Sequence, residues 1–207
     1  MDTKLQNNWR HYFSPSEHDE KDFFEFNHAV LNEKFIFTSC SDVFSKNQID
    51  YGSQVLIETI INDKDFYHGN ILDMCCGYGT IGIILSRFLD ATFDMCDINE
   101  LAIKLASINA EKNSNKVNKI FVSNMWECVT DKYSHIVSNP PIKVGKKVLM
   151  DFINGASSHL NNGGSVTIVI KKNLGADSTK KYLTNVFGNC EVLARDKGYY
   201  ILRSIKN

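Results

Sequence analysis

The sequence predicts an α/β protein built on a mostly parallel β-sheet with one antiparallel strand. From residue 70 onward, short apolar segments alternate with longer segments whose apolar residues recur at helical spacing, and such alternation indicates βαβ units. The last two apolar segments are separated only by Asp196, Lys197 and Gly198. A turn this short joins antiparallel strands. The 207 residues, 43% of them hydrophobic, are sufficient to bury a core of this kind.

The predicted elements follow one another in a regular order. Two aromatic, alternating segments predict a β-hairpin over residues 22–38, and residues 50–62 have the apolar spacing of a helix. Strands are predicted near residues 70–74, 92–96, 118–122, 134–138, 165–170, 190–194 and 199–203, and helices near 79–89, 99–113, 145–161 and 176–187. We therefore divide the chain into an N-terminal extension with the hairpin, residues 1–40, and an α/β domain, residues 41–207.

Composition and charge argue against several functional classes for this protein. A net charge of -1 and a pI of about 6.6 argue against a protein that coats nucleic acid without regard to sequence, although they allow a local basic patch. The six cysteines form no C-x-x-C pair and the six histidines lack metal-ligand spacing, so no metal site is expected. The polar N-terminus and the lack of an apolar segment near the roughly 20 residues of a membrane span predict a reduced, cytoplasmic protein.

A glycine-containing turn follows the first strand of the regular region. The segment that begins at Asp73 continues through Cys75, Gly77 and Gly79, and glycines at such a turn let the backbone approach a ligand closely. Many nucleotide-binding proteins carry a turn of this kind, so the turn alone is a weak signal. The spaced G-x-G-x-x-G and the P-loop lysine are both missing. This favours a sulfonium methyl donor, which has no phosphate to bind.

Two further strand ends carry candidate cofactor-binding residues. Asp97 ends the second strand and is followed by Ile98, and a carboxylate in this position can accept hydrogen bonds from ribose hydroxyls. The alternative is that Asp97 or Asn99 caps the next helix. Asn124 and Met125 follow the third strand, where they could contact the amino group and ring of an adenine. A loop cap and core packing account for these two residues equally well.

The fourth strand leads into Asn139, Pro140, Pro141 and Ile142. The prolines have no N–H to donate, so the groups left to face a ligand are carbonyl oxygens and the Asn139 side chain. Asn139 Oδ1 and the Pro140 carbonyl could accept the hydrogens of a substrate NH2 group and turn its lone pair toward a methyl donor. Such a transfer depends on alignment more than on a strong base. We prefer this interpretation to that of a simple strand-terminating turn.

Lysines follow the fourth and fifth strands. Each one alone is typical of a solvated surface. Together they predict phosphate contacts at the mouth of the site. These candidate substrate-binding residues are Lys143, Lys146, Lys147, Lys171 and Lys172.

The combined motifs resemble the small methyltransferase-domain family that includes the small-subunit ribosomal RNA guanine-N2 methyltransferases. The resemblance covers roughly residues 10–205. Its segments are Phe35 to Thr38, Val43 to Lys46, Asp50 to Ser53, Cys76 to Gly79 with Ile81-Gly82, Asp97 to Asn99, Ser138 to Ile142 with Gly145-Lys146, and Asp196 to Leu202. It implies a Rossmann-like class I methyltransferase fold with a seven-stranded sheet, S-adenosylmethionine as cofactor and no metal. The chain looks like a single-domain relative of members whose first half is a duplicated, inactive domain.

The resemblance also implies roles for individual residues. The segments that would close over cofactor and substrate are Phe44-Ser45 and Asp50 to Ser53. The methionine part of the cofactor would be lined by Asp73, Gly77 and Gly79, its ribose would be bound by Asp97, and its adenine by Asn124. The substrate base would be held by Asn139 to Ile142. Three departures stand out. Cys75 replaces a usual glycine, Asn124 replaces a usual aspartate, and Ser41-Asp42 replaces a usual Ser-Gly.

Four functions are consistent with these features. The leading hypothesis is methylation of guanine N2 in small-subunit ribosomal RNA. The alternatives are an N6-adenine nucleic-acid methyltransferase, a protein glutamine methyltransferase, and a non-catalytic cofactor-binding factor in ribosome assembly. The glutamine enzymes usually carry an aromatic residue where Ile142 stands, and the intact Asn139-Pro140-Pro141 argues against a non-catalytic role.

Overall fold

The N-terminal part of the described chain is a β-hairpin. The computed structural model describes residues 23–43, 45, 47–114, 116–142 and 145–207. Strand β1 (Phe24–Val30) pairs antiparallel with β2 (Glu33–Ser39). The alternation of apolar and polar residues in this segment predicted the hairpin, and the structure confirms it.

A seven-stranded sheet forms the centre of the molecule. Its strands are β3 (Gly69–Met74), β4 (Ala91–Asp97), β5 (Val117–Val122), β6 (Tyr133–Ser138), β7 (Leu160–Lys171), β8 (Glu191–Asp196) and β9 (Tyr199–Ile205). They lie in the order β5-β4-β3-β6-β7-β9-β8. β9 is antiparallel to both of its neighbours, and the other pairs are parallel. The predicted sheet, with one antiparallel strand, is therefore confirmed.

Among the described residues, five α-helices flank this sheet. They are α1 (Tyr51–Asn62), α2 (Thr80–Phe88), α3 (Glu100–Asn113), α4 (Lys146–His159) and α5 (Ala176–Phe187), with 3-10 turns at Lys64–Phe66 and Lys172–Leu174. The sequence predicted that α4 runs to residue 161, but it ends at His159, because Leu160 already pairs with Tyr133 of β6 and Gly163 has a left-handed backbone (φ 78°). In the part of the chain that the structure describes, no helix has the length and apolarity to cross a membrane.

Consecutive strand residues supply two cores on opposite faces of the sheet. Ile71 belongs to the core that α1, α2, α3 and the hairpin cover, whereas Leu72 belongs to the core beneath α4 and α5. Both side chains are fully buried. Because side chains in a strand alternate between faces, burial on both faces requires the near-continuous apolar sequence seen in these strands.

Two asparagines of α3 attach the hairpin to the rest of the fold. Asn109 accepts a hydrogen bond from the Thr38 backbone nitrogen (2.6 Å) and donates one to its carbonyl (3.0 Å). One turn later, Asn113 makes the same two bonds to the backbone of Ile36 (both 2.9 Å). Residues four apart share a helix face, so the two amides follow the edge of β2 much as a neighbouring strand would.

The topology determines where a ligand can bind. From β3 the chain continues to β4 and β5 on one side of the sheet and returns to β6 and β7 on the other. In open α/β sheets the crevice at such a reversal, beyond the carboxyl ends of the strands, is the usual ligand site. The turn after β3 and the loop after β6 flank this crevice.

Candidate active site

The turn after β3 has an unusual backbone. Cys75 (φ 62°), Gly77 (φ 56°) and Gly79 (φ 92°) all have left-handed conformations. A Cβ at Gly79 would lie 2.8 Å from Ile83 Cδ1, so Ile83 would have to shift, and the left-handed conformation itself favours glycine. Cys75 carries a side chain in a conformation that costs an L-residue about 1–2 kcal/mol. A glycine in this position would avoid that strain.

Asp97 connects the end of β4 to the glycine turn. Its Oδ2 accepts a hydrogen bond from the Gly77 backbone nitrogen and its Oδ1 accepts one from the Asn99 nitrogen, both at 2.9 Å. The N-cap of α3 is Asn99, whose Oδ1 accepts from the nitrogens of Leu101 (3.0 Å) and Ala102 (3.3 Å). Burial raises the pKa of Asp97, while the bonds from Asn99 and Gly77 lower it. Helix capping therefore does not explain Asp97, and its role toward ribose hydroxyls stays a prediction.

Asp73 lies near the end of β3, just before the glycine turn, and is fully buried. Its Oδ2 accepts a hydrogen bond from the Gly82 nitrogen at 2.8 Å, whereas no described residue bonds to Oδ1. Burial, with the nearby charge of Asp97, raises the pKa of Asp73 to about 7 against the opposing effect of the Gly82 N–H. A buried acceptor without a partner is costly. Asp73 is therefore suited to receive a cationic or hydrogen-bond-donating ligand group.

The Asn139 side chain has a defined orientation. Its Nδ2 donates hydrogen bonds to Asp50 Oδ1 (3.1 Å) and Ser53 Oγ (3.0 Å). A carboxylate only accepts, so the contact with Asp50 distinguishes the nitrogen of this amide from its oxygen. Within the described residues, nothing donates to Asn139 Oδ1. The preceding residue, Ser138, donates its hydroxyl to the Met74 carbonyl (2.6 Å) and so fixes the end of β6 against β3.

The two prolines and Ile142 form a compact turn after Asn139. Pro140 is buried, and its carbonyl accepts a hydrogen bond from the Ile142 nitrogen at 2.8 Å. The second lone pair of that carbonyl is the one available for a substrate N–H. Pro141 and Ile142 are half-buried, and Ile142 packs against the core beneath α4 and α5. Acceptance of a substrate N–H by the Pro140 carbonyl thus stays a prediction, and only one lone pair of its oxygen can take that role.

The segment before α1 lies over the glycine turn. The Tyr78 hydroxyl donates to the Ser45 carbonyl at 2.9 Å, and the Ser45 hydroxyl donates to the Gln48 carbonyl. Ser45 has a left-handed backbone (φ 59°). Phe44, the other residue expected to close over the ligand, lies outside the described residues.

The loop after β5 lies beside Asp97, because the Ser123 nitrogen donates to the Asp97 carbonyl at 2.9 Å. Asn124 is exposed, and its Nδ2 donates to Glu127 Oε1 at 2.8 Å. Met125 is half-buried with φ 51°, and its carbonyl accepts from the Ser123 hydroxyl at 2.6 Å. Both residues therefore lie in the loop next to Asp97, and their binding roles stay predictions. Ile98, next to Asp97, is half-buried.

The predicted phosphate-binding lysines form two exposed groups. Lys146 and Lys147 begin α4, where Lys147 pairs with Asp151 one turn later at 2.7 Å. Lys171 is the last residue of β7, and Lys172 begins the 3-10 turn after it. Because β7 is parallel to β6, the carboxyl end of β7 lies at the same edge of the sheet as Asn139. Lys143 lies outside the described residues.

Asp50 and Ser53 contact Asn139 directly, which the sequence did not predict. The resemblance implied only that they close over cofactor and substrate. The C-terminal turn reaches the same helix end, where the Tyr51 hydroxyl donates to Asp196 and Lys197 Nζ lies 4.5 Å from the Tyr51 ring centroid. The N-cap pattern at Asp50 is visible in the sequence, but a contact across 89 positions with Asn139 is not. In the described ranges, no three or more His, Cys, Asp or Glu side chains are grouped to hold a metal.

Comparison with known proteins identifies the family. The model of the methyltransferase small domain matches residues 34–203. That match begins within β2, and the division of the chain at residue 40 stays a prediction. An uncharacterized protein of Bacillus subtilis, YbxB, is 39% identical over 201 residues, which are 95% of this chain and 98% of that protein.

Two proteins whose names state an activity are also similar to this chain. Ribosomal RNA small subunit methyltransferase C of Erwinia tasmaniensis is 33% identical over 80% of this chain, which spans only 48% of that enzyme. The structure of the T. thermophilus 16S rRNA N2 G1207 methyltransferase (RsmC) with AdoMet and guanosine superposes with a TM-score of 0.82, covering 94% of this chain and 53% of that one. At 24% identity, this likeness shows a shared fold. With a family match over most of its length and the seven-stranded sheet expected of that family, this chain belongs to the methyltransferase small domain family.

Proposed function

We propose that the chain transfers a methyl group from S-adenosylmethionine to the exocyclic N2 of a guanine in small-subunit ribosomal RNA. The observation that carries the proposal is the orientation of Asn139 at the sheet reversal. Its nitrogen is engaged by Asp50 and Ser53, and its oxygen is left without a donor among the described residues. A side chain held in this way accepts a hydrogen from a substrate NH2 group.

The crevice next to Asn139 fits the proposed cofactor. Asp73 has a buried carboxylate oxygen without a partner among the described residues, and the ammonium of a methionine moiety would supply that partner. Asp97, on the next strand, would accept hydrogen bonds from ribose hydroxyls. β4 and β6 flank β3, so Asp97 and Asn139 are separated by two strand spacings, about 10 Å. S-adenosylmethionine supplies the methyl group when it is bound.

The chain's own residues would align the acceptor amine. The lone pair of an aromatic amine is delocalised into the ring, which makes the nitrogen a poor nucleophile. Hydrogen bonds from its N–H groups to Asn139 Oδ1 and the Pro140 carbonyl would direct that lone pair toward the methyl carbon. Alignment of this kind is the main source of acceleration when no strong base is present. Pro140 and Pro141 add no competing N–H donors to the loop.

The RNA assignment rests on the relatives and on the exposed lysines. Methyltransferases that act on small-subunit ribosomal RNA are about 30% identical to most of this chain. Lys146, Lys147, Lys171 and Lys172 lie at the carboxyl edge of the sheet, where they would contact phosphates around an extruded base. Base extrusion is needed because N2 of a paired guanine is engaged in pairing and enclosed by the stack.

The proposal is tested by transfer of label from tritiated S-adenosylmethionine. The purified chain is incubated with small subunits, naked ribosomal RNA, DNA and ribosomal protein from a strain that lacks it. The labelled product is then digested and identified. Asn139→Ala serves as the matched inactive control, and calorimetry shows whether it still binds cofactor.

The expected product is N2-methylguanosine in small-subunit RNA, formed by the natural chain and not by Asn139→Ala. N6-methyladenosine or methylglutamine would replace this function with one of the alternatives. Cofactor binding without label in any acceptor would instead favour a non-catalytic binding protein.

A further inference from the structure

We propose that Asp50 is a positioning residue for methyl transfer. Its carboxylate, together with the Ser53 hydroxyl, holds the Asn139 amide so that Oδ1 faces the substrate amine, and it strengthens that oxygen as an acceptor. The inference rests on the proposed function, since it concerns the amine methylated at that site.

The first argument is geometric. An amide that rotates freely can present either its oxygen or its NH2 to a ligand, and NH2 facing a substrate amine would place donor against donor. Asn139 Nδ2 has an acceptor for each of its two hydrogens, at 3.1 Å in Asp50 and 3.0 Å in Ser53. Turning the amide over would place Asn139 Oδ1 against the Asp50 carboxylate, where two acceptors face each other with no hydrogen between them. The productive orientation is therefore present before a substrate arrives.

The second argument concerns charge. Donation to a carboxylate gives a stronger hydrogen bond than donation to a neutral group and polarises the donor amide. Negative charge on Asn139 Oδ1 rises as a result. During transfer the substrate nitrogen becomes more positive and its hydrogens become better donors. The contribution of Asp50 is thus greater in the transition state than in the bound substrate, and it affects kcat more than KM.

The first turn of α1 is held firmly enough for this role. Asp50 is the N-cap, with extended backbone and its Oδ1 accepting from the Ser53 nitrogen at 3.2 Å. The Tyr199 ring packs on the next residues, since a Cβ at Gly52 would lie 2.8 Å from Tyr199 Cε1. The Tyr51 hydroxyl donates to Asp196. The C-terminal turn therefore fixes the helix end that carries both partners of Asn139.

Substitution of Asp50 separates positioning from helix capping. Asparagine caps helices as well as aspartate does, so Asp50→Asn keeps the helix and removes only the charge. We expect kcat to fall about 10-fold in Asp50→Asn and about 100-fold in Asp50→Ala. KM for RNA, cofactor affinity and melting temperature should be nearly unchanged in Asp50→Asn.

The control is Asp63→Asn at the other end of α1, where kcat should not change. A natural kcat in Asp50→Ala would overturn the proposal.

A reciprocal exchange provides the sharper test. Asn139→Asp places two carboxylates about 3 Å apart, which raises the pKa of one of them and should make transfer slow and pH-dependent. Adding Asp50→Asn reverses donor and acceptor, and should restore kcat at least about 10-fold over Asn139→Asp, with a flatter pH profile. A double variant no faster than Asn139→Asp would contradict positioning by Asp50.

One readout does not depend on finding the substrate. In the 15N-labelled chain, the side-chain amide hydrogens of Asn139 should exchange slowly, and Asp50→Ala should make their exchange fast. Fast exchange in the natural chain would refute the proposal even if methyl transfer is found. Slow exchange in a chain that methylates no amine would instead contradict the proposed function alone.

Discussion

Asp97 Oδ2 accepts a hydrogen bond from the Gly77 backbone nitrogen at 2.9 Å, which joins the end of β4 to the glycine turn after β3. The Asp97 carboxylate thus holds the glycine turn in place. Loss of this carboxylate would release the turn.

Asp97→Ala is expected to weaken S-adenosylmethionine binding by about 1.5–3 kcal/mol, the effect of one hydrogen bond to a charged group. Titration calorimetry measures the change. The matched control is Asn99→Ala two residues later, which removes the cap of α3 and should destabilise the fold by about 1 kcal/mol without changing affinity. Equal affinity in Asp97→Ala and the natural chain would exclude Asp97 from the cofactor site.

Asp73 should make the stability of the ligand-free chain fall with rising pH. Its pKa of about 7 in the fold lies above its ordinary value of 3.8, so the folded state binds more protons than the unfolded state between these values. The free energy of unfolding should therefore decline from about pH 4 to pH 7 and then level off. The maximum decline for a shift of this size is about 4 kcal/mol.

Denaturant unfolding across this pH range, with Asp73→Asn as the comparison, checks the sign. The variant keeps an acceptor for the Gly82 nitrogen and should lose most of the decline, so that it is more stable than the natural chain at pH 8. Parallel pH curves for the two proteins would show that Asp73 does not titrate in this range.

The elements were predictable because their periodicity is local. Each strand of the sheet is a short apolar segment, and α3 begins where Asn99 provides a cap. Asn139 was identified from its own neighbours in the sequence. Its fixed orientation was not, since it depends on Asp50 and Ser53, which lie 89 and 86 positions earlier and meet it only through the order of strands in the sheet.

Local sequence patterns also could not predict the backbone conformation of the glycine turn or the packing of the hairpin against α3. The left-handed conformation of Cys75 follows from the tight turn between β3 and α2, and the residue type gives no sign of it. Asn109 and Asn113 resemble ordinary polar helix residues in the sequence. Their pairing with the backbone of β2 becomes visible only when the hairpin is placed against α3.

Gly155→Ala should destabilise the chain, although alanine usually favours a helix. A Cβ at this position of α4 would lie 1.9 Å from Trp126 Nε1, within the loop that also carries Asn124. Repacking of the indole should cost about 1–3 kcal/mol and weaken cofactor binding. The control is Ser158→Ala on the exposed side of α4. Thermal melting followed by circular dichroism measures the effect, and a more stable Gly155→Ala would be the contrary result.

Lys146 and Lys147 are expected to contact RNA phosphates. Changing both to glutamine should lower the log–log salt slope of RNA binding by about 0.7 per lost contact, while cofactor affinity remains the same. Lys64→Gln with Lys132→Gln, near the amino ends of β3 and β6, is the charge-matched control. Filter binding across a salt series would show an unchanged slope in both double variants if the lysines of α4 are only solvated.

The most direct test of amine methylation is the nucleoside content of small-subunit RNA from cells that lack this chain. Mass spectrometry should show the loss of an N2-methylguanosine, its return when the natural chain is supplied, and no return with Asn139→Ala at equal protein level. N2-methylguanosine at the same level in all these cells would contradict the account.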